Sequence, residues 1–212
     1  MSPQRYKYPR TPHLSFSPGV GTDDLKLDCD RLFQNKQVVV TEKLDGENTT
    51  LYADYLHPRS IDSRHHPSRT WVKALQAAIA NNIPLGWRIC GENLYARHSI
   101  AYNNLKSYFY VFSIWDEANN CLSWSDTQEW AAILELELVP VIYRGIWDKQ
   151  TIVSLAKKLD LNCCEGYVVR NAAQFNFDEF SGNIAKWVRQ NHVQTDKHWM
   201  HREIVPNGLS EF

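Results

Sequence analysis

The apolar residues of this chain come in short bursts, and that spacing constrains the fold more than any other feature. The most apolar windows, Val38–Val40 and Tyr108–Trp115, are strand-sized. No run reaches the about 18 apolar residues that mark a membrane-spanning helix. Strands are predicted over Gln37–Lys43, Asn48–Ala53, Trp87–Asn93, Ser107–Trp115, Cys164–Arg170 and Asn183–Arg189. Asp45-Gly46 between the first two is a hairpin signal. Helical spacing shows in three places only. Trp71, Leu75, Ala78 and Ile79 form one stripe, closed by Asn81-Asn82 and Pro84. Ser125-x-x-Gln128 reads as a capping box before Trp130, Ile133, Leu134 and Leu138. Asp148 caps a third helix carrying Ile152, Leu155, Ala156 and Leu159. Strands broken irregularly by helices predict an α+β fold, not an alternating parallel one.

Outside that pattern lie the two ends. Met1–Asp30, with turn signals at Ser17-Pro18-Gly19, reads as an ordered arm or loop. The opening MSPQRYKYPR is polar and lacks a signal core. The stretch His192–Arg202 holds three His, a Trp and two cations, and Val193–Met200 within it predicts a short terminal helix packing Trp199 and Met200 on the body. The five cysteines, Cys29, Cys90, Cys121, Cys163 and Cys164, are odd in number and include no C-x-x-C pair. They read as buried hydrophobes of a cytoplasmic protein, not as a disulfide or zinc framework.

Charge excludes one class of partner surface. The chain carries 23 Lys+Arg against 24 Asp+Glu, a net −1. A broadly basic coat is therefore ruled out, and nucleic-acid binding requires a local patch.

Chemistry concentrates in an ordered set of short strings. Thr41-Glu42-Lys43-Leu44-Asp45-Gly46-Glu47-Asn48 puts an amine at a strand end beside a sharp turn. Ser63-Arg64 follows in a polar loop, then Gly91-Glu92-Asn93, then Phe112 within Tyr108–Trp115. Glu165-Gly166-Tyr167-Val168-Val169-Arg170 and Ala185-Lys186-Trp187-Val188-Arg189 complete the series. Taken singly, each has a plain structural reading: Lys43 as a solvated strand end, either Glu as a surface ion pair, Phe112 as a core aromatic. Together and in order they are specific.

That order resembles the covalent nucleotidyltransferase superfamily of polynucleotide ligases and mRNA capping enzymes, and within it the nick-sealing type of RNA ligase and its small stand-alone relatives. The resemblance spans roughly Gln37 to Arg189. It implies antiparallel sheets flanked by helices, an ATP-grasp-like nucleotidyltransferase domain, with ATP in the groove between the sheets. It implies an ATP-dependent enzyme joining 5′-phosphate and 3′-hydroxyl RNA ends, with Mg²⁺ or Mn²⁺. DNA sealing, GTP-dependent capping and a non-catalytic RNA-end or nucleotide-binding module are the alternatives.

The same resemblance distributes the roles. Lys43 would be the nucleophile that takes AMP, Lys186 would meet the α-phosphate, and Glu165 would bind the metal. Glu92 would hold the ribose hydroxyls, Phe112 would stack on adenine, and Glu42 would lie near the adenine edge. Asn48 and Arg64 would contact phosphates. Arg97, Arg189, Lys197 and Arg202 are candidates for RNA contact. A free lysine has a pKa near 10.4, so Lys43 needs a nearby cation, Lys186 or the metal, to release its proton. One departure stands out: Val188 occupies the position of a second motif lysine in many members. Only 23 residues follow Arg189 (212 − 189), too few for an independent core. The expectation is a single nucleotidyltransferase domain over 1–212, with an arm at 1–30, a tail at 190–212 and no separate C-terminal domain.

Overall fold

In the computed structural model, residues 4–19, 26–27, 29–190 and 203–210 are described. In chain order the strands are β1 (His13–Leu14), β2 (Lys26–Leu27), β3 (Gln37–Lys43), β4 (Glu47–Leu51), β5 (Leu56–Pro58), β6 (Arg88–Asn93), β7 (Phe109–Trp115), β8 (Asn120–Cys121), β9 (Glu137–Leu138), β10 (Val141–Ile146), β11 (Gly166–Asn171), β12 (Phe175–Asn176) and β13 (Ile184–Val188). The helices are α1 (Cys29–Phe33), α2 (Thr70–Ile79), α3 (Trp124–Ile133) and α4 (Lys149–Leu155).

Two sheets result. One runs β10-β3-β11-β13-β1-β2, and the other β12-β8-β7-β6-β4-β5 with β9 beside β7. The central pairings are antiparallel; β1 joins β13 and β2 in parallel, as β9 joins β7. The α+β expectation holds. Alternation divides the first sheet into two faces. Val38, Val40, Tyr167, Val169, Ala185 and Trp187 pack with Ile152 and Leu155 of α4. Val39 on the opposite face joins Leu94, Tyr110 and Trp124, side chains contributed by the second sheet and its connections.

The join between the sheets differs from the sequence expectation. Asp45-Gly46 does not close a hairpin: β3 pairs with β10 and β11, whereas β4 pairs with β5 and β6. The chain passes here from one sheet to the other. Gly46 is needed for close approach, since a Cβ there would meet the Asn93 carbonyl oxygen at 2.5 Å. The hairpin lies one strand later, β4 to β5, closed by Tyr52 N–H donating to the Tyr55 carbonyl at 2.7 Å.

Other local expectations shift by a few residues. Asp148 caps α4 as predicted, accepting from Thr151 N–H at 2.8 Å. For α3 the cap is Ser123, not Ser125: Ser123 Oγ accepts from Asp126 N–H at 3.1 Å, and the Ser125 hydroxyl bonds to it. The helix therefore ends at Ile133, which is exposed, and Leu138 belongs to β9. The arm is more than a loop, because β1 and β2 extend the first sheet. Cys163 is exposed, against the expectation of burial. The helix expected around Trp199 lies outside the described residues.

In the second sheet, Arg69 anchors the turn into α2. It is 3% exposed and grips Glu47 of β4 through Nε to Oε2 at 2.7 Å and Nη2 to Oε1 at 2.5 Å. A planar fork on a carboxylate is a strong, directional pair. Removing one partner strands a buried charge, so Arg69→Ala is expected to cost about 3–5 kcal/mol. Urea unfolding checks this; a loss under about 1 kcal/mol would mark the pair as solvent-screened.

Candidate active site

The passage from β3 to β4 opens onto a cleft of about 280 Å³ between the sheets. Its walls include Thr41, Glu42, Lys43, Gly46, Asn48, Glu92, Phe112 and Lys186. Strand register explains the grouping. Thr41 lies opposite Val168, and Val168 opposite Lys186, so three neighbouring strands present one row to the cleft. Lys43 lies opposite Gly166, which places the preceding Glu165 beside it. The Lys43 ammonium forms an ion pair with Glu165 Oε2. Gly166 adopts φ +152°, and a Cβ there would meet the Trp187 carbonyl oxygen at 2.1 Å. Only glycine lets the strand pass so close to β13 at this point.

The second sheet supplies the facing wall. Glu92 Oε1 accepts from the Gly46 N–H at 3.1 Å. Phe112 reaches the cleft through a break in alternation. Cys90 pairs with Ser113 but the next residue, Gly91, pairs with Val111, leaving Phe112 as the extra residue of a β-bulge. Simple alternation would put Phe112 and Ile114 on one face, but past the bulge Ile114 joins the core of Phe109 and Val111 on the other side. Bulges of this kind re-aim side chains beside functional sites. Phe112 is half-buried, with Tyr8 edge-on at 5.2 Å.

Charge in the cleft follows from burial and crowding. Burial pulls the Lys43 amine down, but the carboxylates of Glu165, Glu92 and Asp45 outweigh it and hold the amine above its ordinary pKa. The charged groups that set the proton affinity of Lys43 here are thus carboxylates. Burial, with Glu165 nearby, pushes Glu92 up to about 8 despite Lys43. Burial and Glu165 raise Asp45 to about 6, against the opposing pull of N–H donors from Ile100 and Ser99, each at 2.7 Å, and of Lys43. Tyr102 Oη also accepts from the Asp45 N–H, at 2.8 Å. These contacts on its carboxylate and N–H make Asp45 the brace of the turn. Burial raises Glu42 as well.

Not every sequence candidate converges here. Arg64 lines a second depression, of about 370 Å³, with Tyr55, His65, Arg69 and Lys73. Arg59 takes a place in the cleft wall instead, its Nε donating to the Tyr8 carbonyl at 3.4 Å. Arg97 is exposed on the β6–β7 connection. Arg189 is half-buried beyond β13, its N–H donating to the Glu165 carbonyl at 3.0 Å. Lys197 and Arg202 lie outside the described residues. Val188 is 1% exposed, and its N–H donates to Ser17 Oγ at 3.0 Å, so a lysine there would have to bury its ammonium.

Sequence reasoning missed Tyr8, Thr11, Arg59 and Arg170. The first two come from the arm, which runs past the cleft and meets β13 where Lys186 N–H donates to Pro12 O at 2.9 Å. Arg170 sat inside a recognised string with no role assigned. It is 3% exposed and ties β11 to the second sheet, donating to the Leu122 carbonyl at 2.7 Å.

Could this site hold a divalent cation? Among the described residues no cluster of three or more His, Cys, Asp or Glu could do so alone. Glu165 offers a carboxylate at the cleft, and Mg²⁺ is commonly held by one or two carboxylates plus substrate phosphates and water. The donor set fits that mode. The Asn48 Oδ1 atom, in the same wall, is buried with no hydrogen-bond partner, as expected of a group that awaits a ligand.

Glu92 gives a pH prediction. Between its ordinary value of 4.5 and about 8, the folded chain binds a proton that the unfolded chain does not. Stability from this group is therefore lost as pH rises through that window. Glu92→Gln is expected to flatten the fall in urea midpoint between those limits; an unchanged profile would contradict the assignment.

Comparison with known proteins bears on the fold. The family model described as RNA ligase matches residues 36–188. No curated protein matches the sequence. Among solved structures, an archaeal ATP-dependent RNA ligase is similar with a TM-score of 0.59 at 16% identity, covering 88% of this chain and 48% of that one. A putative ATP-dependent DNA ligase from Aquifex aeolicus gives 0.58 at 17%, covering 89% and 51%. A variant of Naegleria gruberi RNA ligase with ATP and Mn gives 0.56 at 17%, covering 87% and 62%. The chain thus spans about half the length of the first two. At these identities the likeness is one of fold.

Proposed function

The chain belongs to the RNA ligase family, and from that premise we propose that it is an ATP-dependent RNA ligase working through a lysyl-AMP intermediate as one nucleotidyltransferase domain. The observation that carries the reading is the convergence of Lys43, Glu165, Glu92, Phe112 and Lys186 on one cleft from both sheets. A structural role would not require amines, two carboxylates and an aromatic face around one cleft.

The chemistry follows from the placement. Lys43 Nζ, once deprotonated, attacks the α-phosphorus of ATP; a P–N bond forms, the α–β P–O bond breaks, and pyrophosphate leaves. AMP then passes to the 5′-phosphate of an RNA end, and a 3′-hydroxyl displaces it. These are in-line displacements at phosphorus, where positioning and cationic groups contribute most. Phe112 supports adenine, and the Glu92 carboxyl accepts from the ribose hydroxyls. Lys186 and Arg59 face the phosphates, and Asn48 donates or accepts beside them.

The resting ion pair keeps the nucleophile protonated, so Lys43 must first lose its hold on Glu165. Glu165, together with the nucleotide phosphates, would hold a divalent cation, Mg²⁺ or Mn²⁺, which when bound would supply positive charge that disfavours the ammonium and offsets charge on the leaving group. Lys186 stabilises the charge that develops on the α-phosphate oxygens.

With α-labelled ATP and Mg²⁺, the protein is expected to form a covalent AMP adduct that is absent in Lys43→Ala and slowed about 10²-fold or more in Lys186→Ala. An adduct from GTP but not ATP would favour capping chemistry. Sealing should follow with 5′-phosphorylated RNA ends, and equal activity on an all-DNA nick would count against the RNA assignment. No adduct from any nucleoside triphosphate, using adenylate-free protein, would overturn the enzyme reading.

A further inference from the structure

The turn that carries Lys43 is held by a connection with no regular structure. Residues 94–108 join β6 to β7. From this stretch come the Ser99 and Ile100 N–H groups on Asp45 Oδ2, and the Tyr102 hydroxyl that accepts from Asp45 N–H. These contacts act two residues from Lys43. Leu94, Ile100, Tyr102 and Leu105 bury themselves in the core beside Val39 and Trp124, but an irregular stretch has no helix or strand ladder of its own to fix its backbone, and further support reaches it from outside.

That support is the segment 203–210. Asn207 is 5% exposed and uses both ends of its amide. Its Oδ1 accepts from Tyr102 N–H at 2.9 Å, and its Nδ2 donates to the Leu94 carbonyl at 2.7 Å. Its own N–H donates to the Tyr95 carbonyl at 2.9 Å, and its carbonyl accepts from the Tyr108 hydroxyl at 2.9 Å. Gly208 N–H donates to the Tyr102 carbonyl at 2.7 Å, and Leu105 N–H to the Gly208 carbonyl at 3.0 Å. Gly208 packs closely on Asn103, where a Cβ would meet backbone at 3.2 Å. Both backbone groups of Tyr102 are thereby held from 203–210, while its hydroxyl holds Asp45.

We infer that Asn207 is a positioning residue for Lys43, acting through Tyr102 and Asp45: the 203–210 segment fastens the 94–108 connection, which fixes the Leu44-Asp45-Gly46 turn. The inference rests on the lysyl-AMP reading of Lys43. Asn207 touches neither Lys43 nor the cleft lining. Its effect is one of aim, and a misplacement of about 1 Å at a reacting group can cost about 10²-fold in rate.

The test is a double-substitution cycle on the full chain, using Asn207→Ala, Tyr102→Phe and both together. The readout is the rate of AMP-adduct formation at saturating ATP, with the KM for ATP measured alongside. Each single change is expected to slow the rate about 10-fold or more with KM little altered, and the pair to be no slower than the worse single change, as expected for sites in one chain of contacts. Independent, multiplying effects would overturn the inference, as would an unchanged rate. Gly208→Ala, a milder disturbance of the same segment, serves if Asn207→Ala does not fold.

Hydrogen exchange separates this from the function reading. Loosening at 203–210 should raise exchange at Leu44 and Asp45 whether or not the protein makes an adduct. If the unsubstituted protein makes none, the function reading falls and the exchange pattern alone decides the positioning claim. Unchanged protection at Leu44 and Asp45 in the Asn207 or Gly208 variant would overturn it.

Discussion

Lys43 and Glu165 hold each other in a partly closed cleft, and the surrounding structure is organised around that contact. A buried ammonium is costly unless a carboxylate meets it. The partner is supplied by register: β3 and β11 pair so that Lys43 faces Gly166, and Glu165 precedes it. Glycine at 166 lets β11 approach β13 at the same place. Glu92 arrives from the other sheet and is tied to the turn by Gly46 N–H. Three acidic groups thus surround one amine, and their combined pull keeps the proton on it. The arrangement sets one amine against carboxylates that come from both sheets and from the turn between them.

Such a site requires that two sheets keep a fixed relation. Arg170 contributes by reaching from β11 to a carbonyl of the second sheet's side, with Trp124 and Phe175 beneath its guanidinium. The arm contributes too. Arg5 meets Asp54 at 2.7 Å, Tyr8 packs on Phe112 and Phe180, and Ser17 bonds to Val188. One extended segment therefore touches both sheets and the cleft wall. The 203–210 segment acts at another place, on the connection that holds Asp45.

Much of the first sheet was legible in the sequence, because Val38–Val40 and Tyr167–Val169 are strand-sized apolar runs and Ala185-Lys186-Trp187 alternates apolar with polar. The order of the strings around Lys43, Glu165 and Lys186 was legible for the same reason: each sits on or directly beside a regular strand. What alternation cannot report is which sheet a strand joins. Asp45-Gly46 therefore looked like a hairpin although its two strands part company. Nor can it reveal the bulge at Phe112, which depends on the pairing partner. The arm and the 203–210 segment are held mainly by backbone hydrogen bonds and single polar side chains such as Ser17 and Asn207, which leave no periodic trace. Arg64 and Arg59 illustrate the limit in one loop: both are arginines near a strand end, and only three-dimensional placement separates the cleft from its neighbour.

The Lys43–Glu165 ion pair sets the state of the amine before substrate arrives. The direct measurement is the titration of the Lys43 side chain by NMR of lysine Cε and Nζ, in the unsubstituted protein and in Glu165→Gln. A proton held above the ordinary lysine range is expected in the former and a clear downward shift in the latter, where burial acts with less opposition. A Lys43 that titrates at or below the ordinary value in the unsubstituted protein, and does not respond to Glu165→Gln, would show that the ion pair does not control the amine.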